Sequence, residues 1–112
     1  MIVGRHIIAE FYGVRPELIS KKDTVRAILE EAVDRAGLTK VGSSYKQFNP
    51  HGVTGFILIA ESHVSVHTWP EYKLVNVDVF TCGDPSKAEE VFEHLLEAFK
   101  PEDYRKCVLD RG

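Results

Sequence analysis

Two stretches with apolar residues at helical spacing, set among segments where apolar and polar residues alternate, restrict this chain to a layered mixture of helix and sheet. The first stripe is Val25, Ile28, Leu29, Ala32, Val33 and Ala36; the second is Ala88, Val91, Phe92, Leu95, Leu96 and Phe99. Both follow the i, i+3, i+4, i+7 pattern that gives a helix one greasy face, and each such face needs a sheet to lie on. Asp23 or Thr24 is the expected N-cap of the first helix, and Gly37 sits where a left-handed residue ends it. Asp84 is the expected N-cap of the second helix. Pro85 is its first residue, where a missing N–H costs nothing.

The remaining segments read as strands: 5–12, 40–48, 53–60, 63–69, 73–82 and 104–109. Residues 53–60 are apolar on both faces, which predicts a central strand covered on both sides. Pro70-Glu71-Tyr72 supplies the turn of an antiparallel hairpin between the two strands around it. The order strand, helix, four strands, helix, strand predicts an α+β two-layer sandwich. Its sheet is largely antiparallel, with both helices on one face. At 112 residues, with no internal repeat and no Pro/Gly/Ser linker, the chain fits a single domain, 1–112.

Charge and length narrow the function classes. Lys+Arg is 14 against Asp+Glu 17, a net charge of −3, so no basic surplus exists to neutralise a phosphate backbone and nucleic acid is not an expected partner. The longest apolar run, Phe56 to Ala60, falls far short of the roughly 20 residues that cross a bilayer, and the first residues lack the pattern of a signal peptide. Two cysteines, Cys82 and Cys107, make no disulfide framework. The expectation is a reduced, cytoplasmic protein with no membrane partner.

If Val64, Val66, Val75, Val77 and Val79 face the helices, the opposite face carries His63, Ser65, His67, Trp69, Asn76, Asp78, Phe80 and Cys82. So aromatic and reactive a surface reads as a pocket, a subunit interface, or both, because a chain this short has little room to enclose a ligand alone. His63 and His67 lie roughly 13 Å apart on a strand, too far to share a metal ion. His67 reads either as a surface or interface histidine with a satisfied hydrogen bond or as an acid–base group. Cys82 reads either as a small buried hydrophobe or as a thiol polarised by the helix that follows, whereas Cys107 reads as packing. His6, His51 and His94 read as structural or surface residues. Aromatics near Glu61, Glu71 and Asp78 suit a flat, cationic ligand. The sharpest local feature is Ala60-Glu61-Ser62-His63 at the junction of two strands. Its serine either marks a bend or, strained beside a histidine, attacks the preceding carbonyl.

The segments Phe-Asn-Pro-His-Gly-Val-Thr-Gly (48–55), Glu-Ser-His (61–63), Val-His-Thr-Trp-Pro-Glu-Tyr (66–72) and Asp-Val-Phe-Thr-Cys-Gly (78–83) resemble those of the prokaryotic S-adenosylmethionine decarboxylase proenzymes. Gly-Arg-His-Ile-Ile-Ala-Glu-Phe-Tyr (4–12) extends the resemblance over nearly the whole chain. It implies self-cleavage between Glu61 and Ser62 into a β chain, 1–61, and an α chain, 62–112. Ser62 would become a pyruvoyl group that binds the substrate amine as a Schiff base, with neither pyridoxal phosphate nor metal. By the same resemblance His67 serves processing, and Thr54 supports it where related sequences often carry serine. Cys82 donates the proton to Cα, Phe48 and Trp69 flank the adenine, and Glu71 holds the ribose. Family members build each site from two protomers, so the resemblance implies a homodimer and a role in spermidine synthesis. The alternatives are a pyruvoyl-dependent arginine or ornithine decarboxylase, which Phe48, Trp69 and Glu71 disfavour, and a non-catalytic α+β ligand-binding module.

Overall fold

A computed structural model describes residues 1–112. Six strands form one sheet: β1 (Gly4–Tyr12), β2 (Lys40–Gln47), β3 (Val53–Ile59), β4 (Ser62–Trp69), β5 (Leu74–Cys82) and β6 (Asp103–Arg111). Their order across the sheet is β2-β3-β4-β5-β1-β6, and every neighbouring pair is antiparallel. The helices α1 (Lys22–Arg35) and α2 (Ser86–Phe99) pack on one face, as the two stripes predict. Val64, Val66, Val75, Val77 and Val79 are buried beneath them with Val25, Leu29, Val33, Val91, Phe92 and Leu95. Phe11 of β1 meets Phe92 and Phe99 edge to face, at ring separations of 5.7 and 6.1 Å. Neither helix is long and apolar enough to span a membrane.

Four sequence expectations need correction. The first helix starts at Lys22, so neither Asp23 nor Thr24 caps it; Lys21 holds that position and makes no side-chain cap. A distant partner substitutes, for the Lys22 N–H donates to the Gln47 Oε1 of β2 at 2.6 Å. Asp23 falls inside the first turn, where its charge favours the positive end of the helix dipole. At α2, Pro85 is the cap residue rather than the first helical one. Asp84, one residue further out, still takes the Ser86 N–H at 2.9 Å, which holds its carboxyl below the usual aspartate range.

The third correction concerns β3. It lies next to the edge of the sheet and is covered on one face only, leaving Phe56 and Leu58 exposed at 40% and 45%. Their hydrophobicity belongs to an open surface, not to a core. Last, Cys107 is exposed: it pairs with Ile8 on the open face of β1 and β6 and packs against no helix. Gly37 does end α1 with φ +72°, and the β4–β5 turn closes through Pro70–Tyr72 and a left-handed Lys73.

Candidate active site

The open face of the sheet is ordered in rows by strand register. One row runs Leu58, His63, Phe80, His6, Leu109 across five strands; the next runs Phe56, Ser65, Asp78, Ile8, Cys107; a third runs Thr54, His67, Asn76, Glu10, Arg105. The alternation of β4 and β5 assigns His63, His67, Asp78 and Phe80 to this face. The pairing of β1 with β5 adds His6, which no local pattern connects to them.

The candidate residues fall into two groups at opposite ends of β4. At its start, Ala60 and Glu61 turn the chain and Ser62 has φ 151°. That backbone region is nearly reserved for glycine and costs a residue with a side chain about 1–3 kcal/mol. The Glu61 carbonyl oxygen accepts the Cys82 N–H at 2.9 Å, so the end of β5 holds the carbonyl that precedes Ser62 and brings Cys82 beside that peptide. Ser62 Oγ lies 3.3 Å from His63 Nδ1. Across the sheet Ser62 pairs with Thr81, whose hydroxyl is buried without a hydrogen-bond partner. Glu61 itself is fixed by the Thr39 N–H, which donates to its Oε1 at 3.2 Å.

The second group lies at the other end. Phe48, Thr54, His67, Trp69 and Glu71 line a pocket of about 440 Å³ with Asn49, Pro50, His51, Gly52 and Thr68. Its shape follows from a few ties. The Gln47 amide donates to the carbonyls of Ser20, Phe48 and Gly52, and Gly52 turns the chain at φ +109°. Thr68 is buried underneath, accepting from the Val53 N–H at 2.9 Å and donating to the Ile19 carbonyl at 2.7 Å. Two aromatic side chains project from this frame, Phe48 and Trp69, both more than 40% exposed. Trp69 Nε1–H donates to Asn76 Oδ1 at 2.7 Å, which sets the indole plane. Thr54 Oγ1 and His67 Nδ1 are 3.0 Å apart, a pairing that the sequence could not show because the two residues meet only across β3 and β4. His51, read as structural or surface, borders the pocket with Nε2 3.7 Å from Glu71.

His6, His63 and Asp78 form a further cluster, with ligand-type atoms within 4.8 Å of one another. Arg111 Nη1 stands 3.3 Å from His6 Nδ1. A guanidinium only donates, so that nitrogen accepts, and the ring proton lies on Nε2, facing Asp78.

Comparison with known proteins bears on this arrangement. The family model described as S-adenosylmethionine decarboxylase matches residues 5–112. An S-adenosylmethionine decarboxylase proenzyme of Archaeoglobus fulgidus is 73% identical over the full length of both chains. One from Hydrogenobaculum is 53% identical, over 98% of this chain and 82% of its own. The crystal structure of the adenosylmethionine decarboxylase from Aquifex aeolicus superposes with a TM-score of 0.97 at 48% identity, covering 99% of this chain and 92% of that one. This chain belongs to the S-adenosylmethionine decarboxylase family.

Proposed function

We propose that this chain is a self-processing decarboxylase of S-adenosylmethionine that supplies the aminopropyl donor for spermidine synthesis. Its backbone breaks between Glu61 and Ser62, giving a β chain of 1–61 and an α chain of 62–112, with a pyruvoyl group derived from Ser62. The observation that carries this reading is the strained Ser62, at φ 151°, following a carbonyl already held by the Cys82 N–H. A hydroxyl next to that carbonyl is set to attack it, and the N–H is placed where charge builds on the oxygen. Relief of the strain at Ser62 favours the same bond cleavage.

The surroundings fit a carbonyl group at position 62. The buried Thr81 hydroxyl, unpartnered while Ser62 is intact, lies opposite it in register. The pyruvoyl group supplies an electrophilic carbonyl that holds the substrate amine and takes up the electrons released with carbon dioxide. Cys82, exposed and one backbone hydrogen bond from position 61, carries the thiol proton for the substrate Cα. Phe48 and Trp69 offer flat faces to an adenine, and their π electrons suit a sulfonium nearby. Glu71 is placed to accept hydrogen bonds from ribose hydroxyls.

Ser62 and the pocket do not serve each other within one chain. His67 lies five positions along the strand from Ser62, roughly 17 Å at about 3.3 Å per residue. Between the two groups the sheet exposes Ile8, Phe56 and Leu58, an apolar face with no cover. A homodimer in which these faces meet buries that surface and brings the Thr54–His67 pair and the pocket of one protomer to Ser62 and Cys82 of the other. We assign the reaction to the reducing cytoplasm, which suits two free cysteines.

Denaturing mass spectrometry of the purified protein tests the processing. Two fragments of about half size are expected, together heavier than the precursor by one water less one ammonia. Incubation with carboxyl-labelled S-adenosylmethionine should release labelled carbon dioxide. One intact species after long incubation, together with no release, sinks the reading. Preferential release from arginine or ornithine sinks the substrate assignment alone.

A further inference from the structure

We infer that His63 receives the Ser62 hydroxyl proton when the backbone breaks, and that Asp78 and His6 are the positioning residues that hold its ring for this step. The inference rests on the processing reading above and adds the proton acceptor within the same chain. The resemblance assigns processing to His67, which in the proposed dimer reaches Ser62 from the other protomer with Nδ1 paired to Thr54 at 3.0 Å. His63 Nδ1, by contrast, stands 3.3 Å from Ser62 Oγ.

The cluster around His63 orients it for the task. Its other nitrogen, Nε2, faces Asp78 Oδ1 at 4.0 Å. A carboxylate on that side favours the tautomer with the proton on Nε2, leaving the Nδ1 lone pair directed at the serine. Asp78 is itself held, because the same Oδ1 accepts the Nε2–H of His6, whose Nδ1 accepts from Arg111. The donors therefore run from Arg111 through His6 to Asp78, and His63 faces the same carboxylate oxygen at ion-pair distance. Aromatic contacts fix the ring plane. His63 stacks on Phe56 with centroids 5.5 Å apart and 18° between planes, and meets Phe80 edge to face at 6.0 Å. The charged and titratable groups facing the ring are Asp78 from β5 and His6 from β1, with Arg111 of β6 behind His6; β3 contributes Phe56 and Leu58.

The step balances without any other reactant. The Ser62 O–H proton passes to His63 Nδ1 as Oγ bonds to the Glu61 carbonyl carbon, and the carbonyl oxygen takes the charge while facing the Cys82 N–H. The carbon–nitrogen bond then breaks as the imidazolium returns the proton to the Ser62 nitrogen. An amide has become an ester, with the same atoms.

The test follows conversion of the full-length precursor to its two fragments against pH in wild type, His63→Ala, His63→Phe, Asp78→Asn and His6→Gln, with circular dichroism reporting folding. His63→Phe keeps the stack on Phe56 and lacks a base. Both His63 variants should cleave about 10²-fold more slowly, the loss typical of a missing general base. Added imidazole should restore part of the rate to His63→Ala. Asp78→Asn and His6→Gln should move the midpoint of the pH–rate profile, which a merely structural role would leave in place. A chelator should change nothing. A folded His63→Phe that cleaves at the wild-type rate with the wild-type pH profile overturns the inference, as does cleavage abolished by chelation. Failure of the wild-type chain to cleave strikes instead at the processing reading.

Discussion

Ser62 and Cys82, whose N–H donates to the carbonyl of the preceding Glu61, divide the proposed chemistry between them, so single substitutions separate it. Ser62→Ala removes the attacking hydroxyl and should yield one uncleaved chain with no decarboxylation, read by denaturing mass spectrometry. Cys82→Ala keeps the backbone N–H on the Glu61 carbonyl while deleting the thiol. It should still cleave, at least partly, and lose most carbon dioxide release; full activity would remove Cys82 from the mechanism. At the far end of β4, Trp69→Ala should raise KM more than it lowers kcat, since losing one aromatic face against a base costs about 1–3 kcal/mol. Much of this was legible one residue at a time. Strand alternation placed His63, His67, Asp78 and Cys82 on a common face because a period of two fixes side-chain direction. His6 was not legible, because its link to Asp78 depends on which distant strand lies beside β5.

Among the elements, α1 and the edge strand β2 depend on side chains that cross between them. Glu30 of α1 accepts from Tyr45 Oη at 2.6 Å and from Lys40 Nζ at 3.0 Å. Burial alone would push the Glu30 carboxyl up, but the Tyr45 and Lys40 hydrogen bonds outweigh it and hold it below the usual glutamate range. Burial, and then the same carboxylate, push the Tyr45 phenol well above its ordinary value. Because the folded value of Glu30 is depressed, its contribution is complete above the ordinary glutamate range and fades as pH falls through the depressed value. Glu30→Gln should therefore cost about 1 kcal/mol in denaturant unfolding near neutral pH, and the gap to wild type should close in acid. An equal gap at both ends of that range would exclude the charge as its source. Such ties also explain where the element boundaries departed from sequence. Both apolar stripes named their helices correctly, whereas the start of α1 is satisfied by Gln47 from another element, a cap with no local signature. The two-sided hydrophobicity of β3 was real, but Phe56 and Leu58 lie on a face left open by this chain alone.

For the whole molecule, that open face and the split site raise the same question of how one folded chain meets another. A site made within one protomer and a site shared between two make different predictions when damaged chains are mixed. Ser62→Ala spoils the cleavage end of β4, and Glu71→Ala spoils the pocket end. Each variant alone should decarboxylate poorly. In a two-fold dimer of one of each, one site takes its serine from the Glu71→Ala chain and its pocket from the Ser62→Ala chain, so it is intact, while the other site carries both defects. Random pairing makes half the dimers mixed, so co-expression should restore about one quarter of wild-type decarboxylation at equal total protein. Mixing after separate folding should restore activity only as fast as subunits exchange. Were Ser62 served by its own chain's pocket, every site in the mixture would carry a defect and co-expression would recover nothing. The same result would leave the apolar surface of Ile8, Phe56 and Leu58 without a catalytic reason for its exposure. Recovery near one quarter would instead tie that exposed surface, the strain at Ser62 and the distant Thr54–His67 pair to a single cause: the working site closes only when two sheets meet.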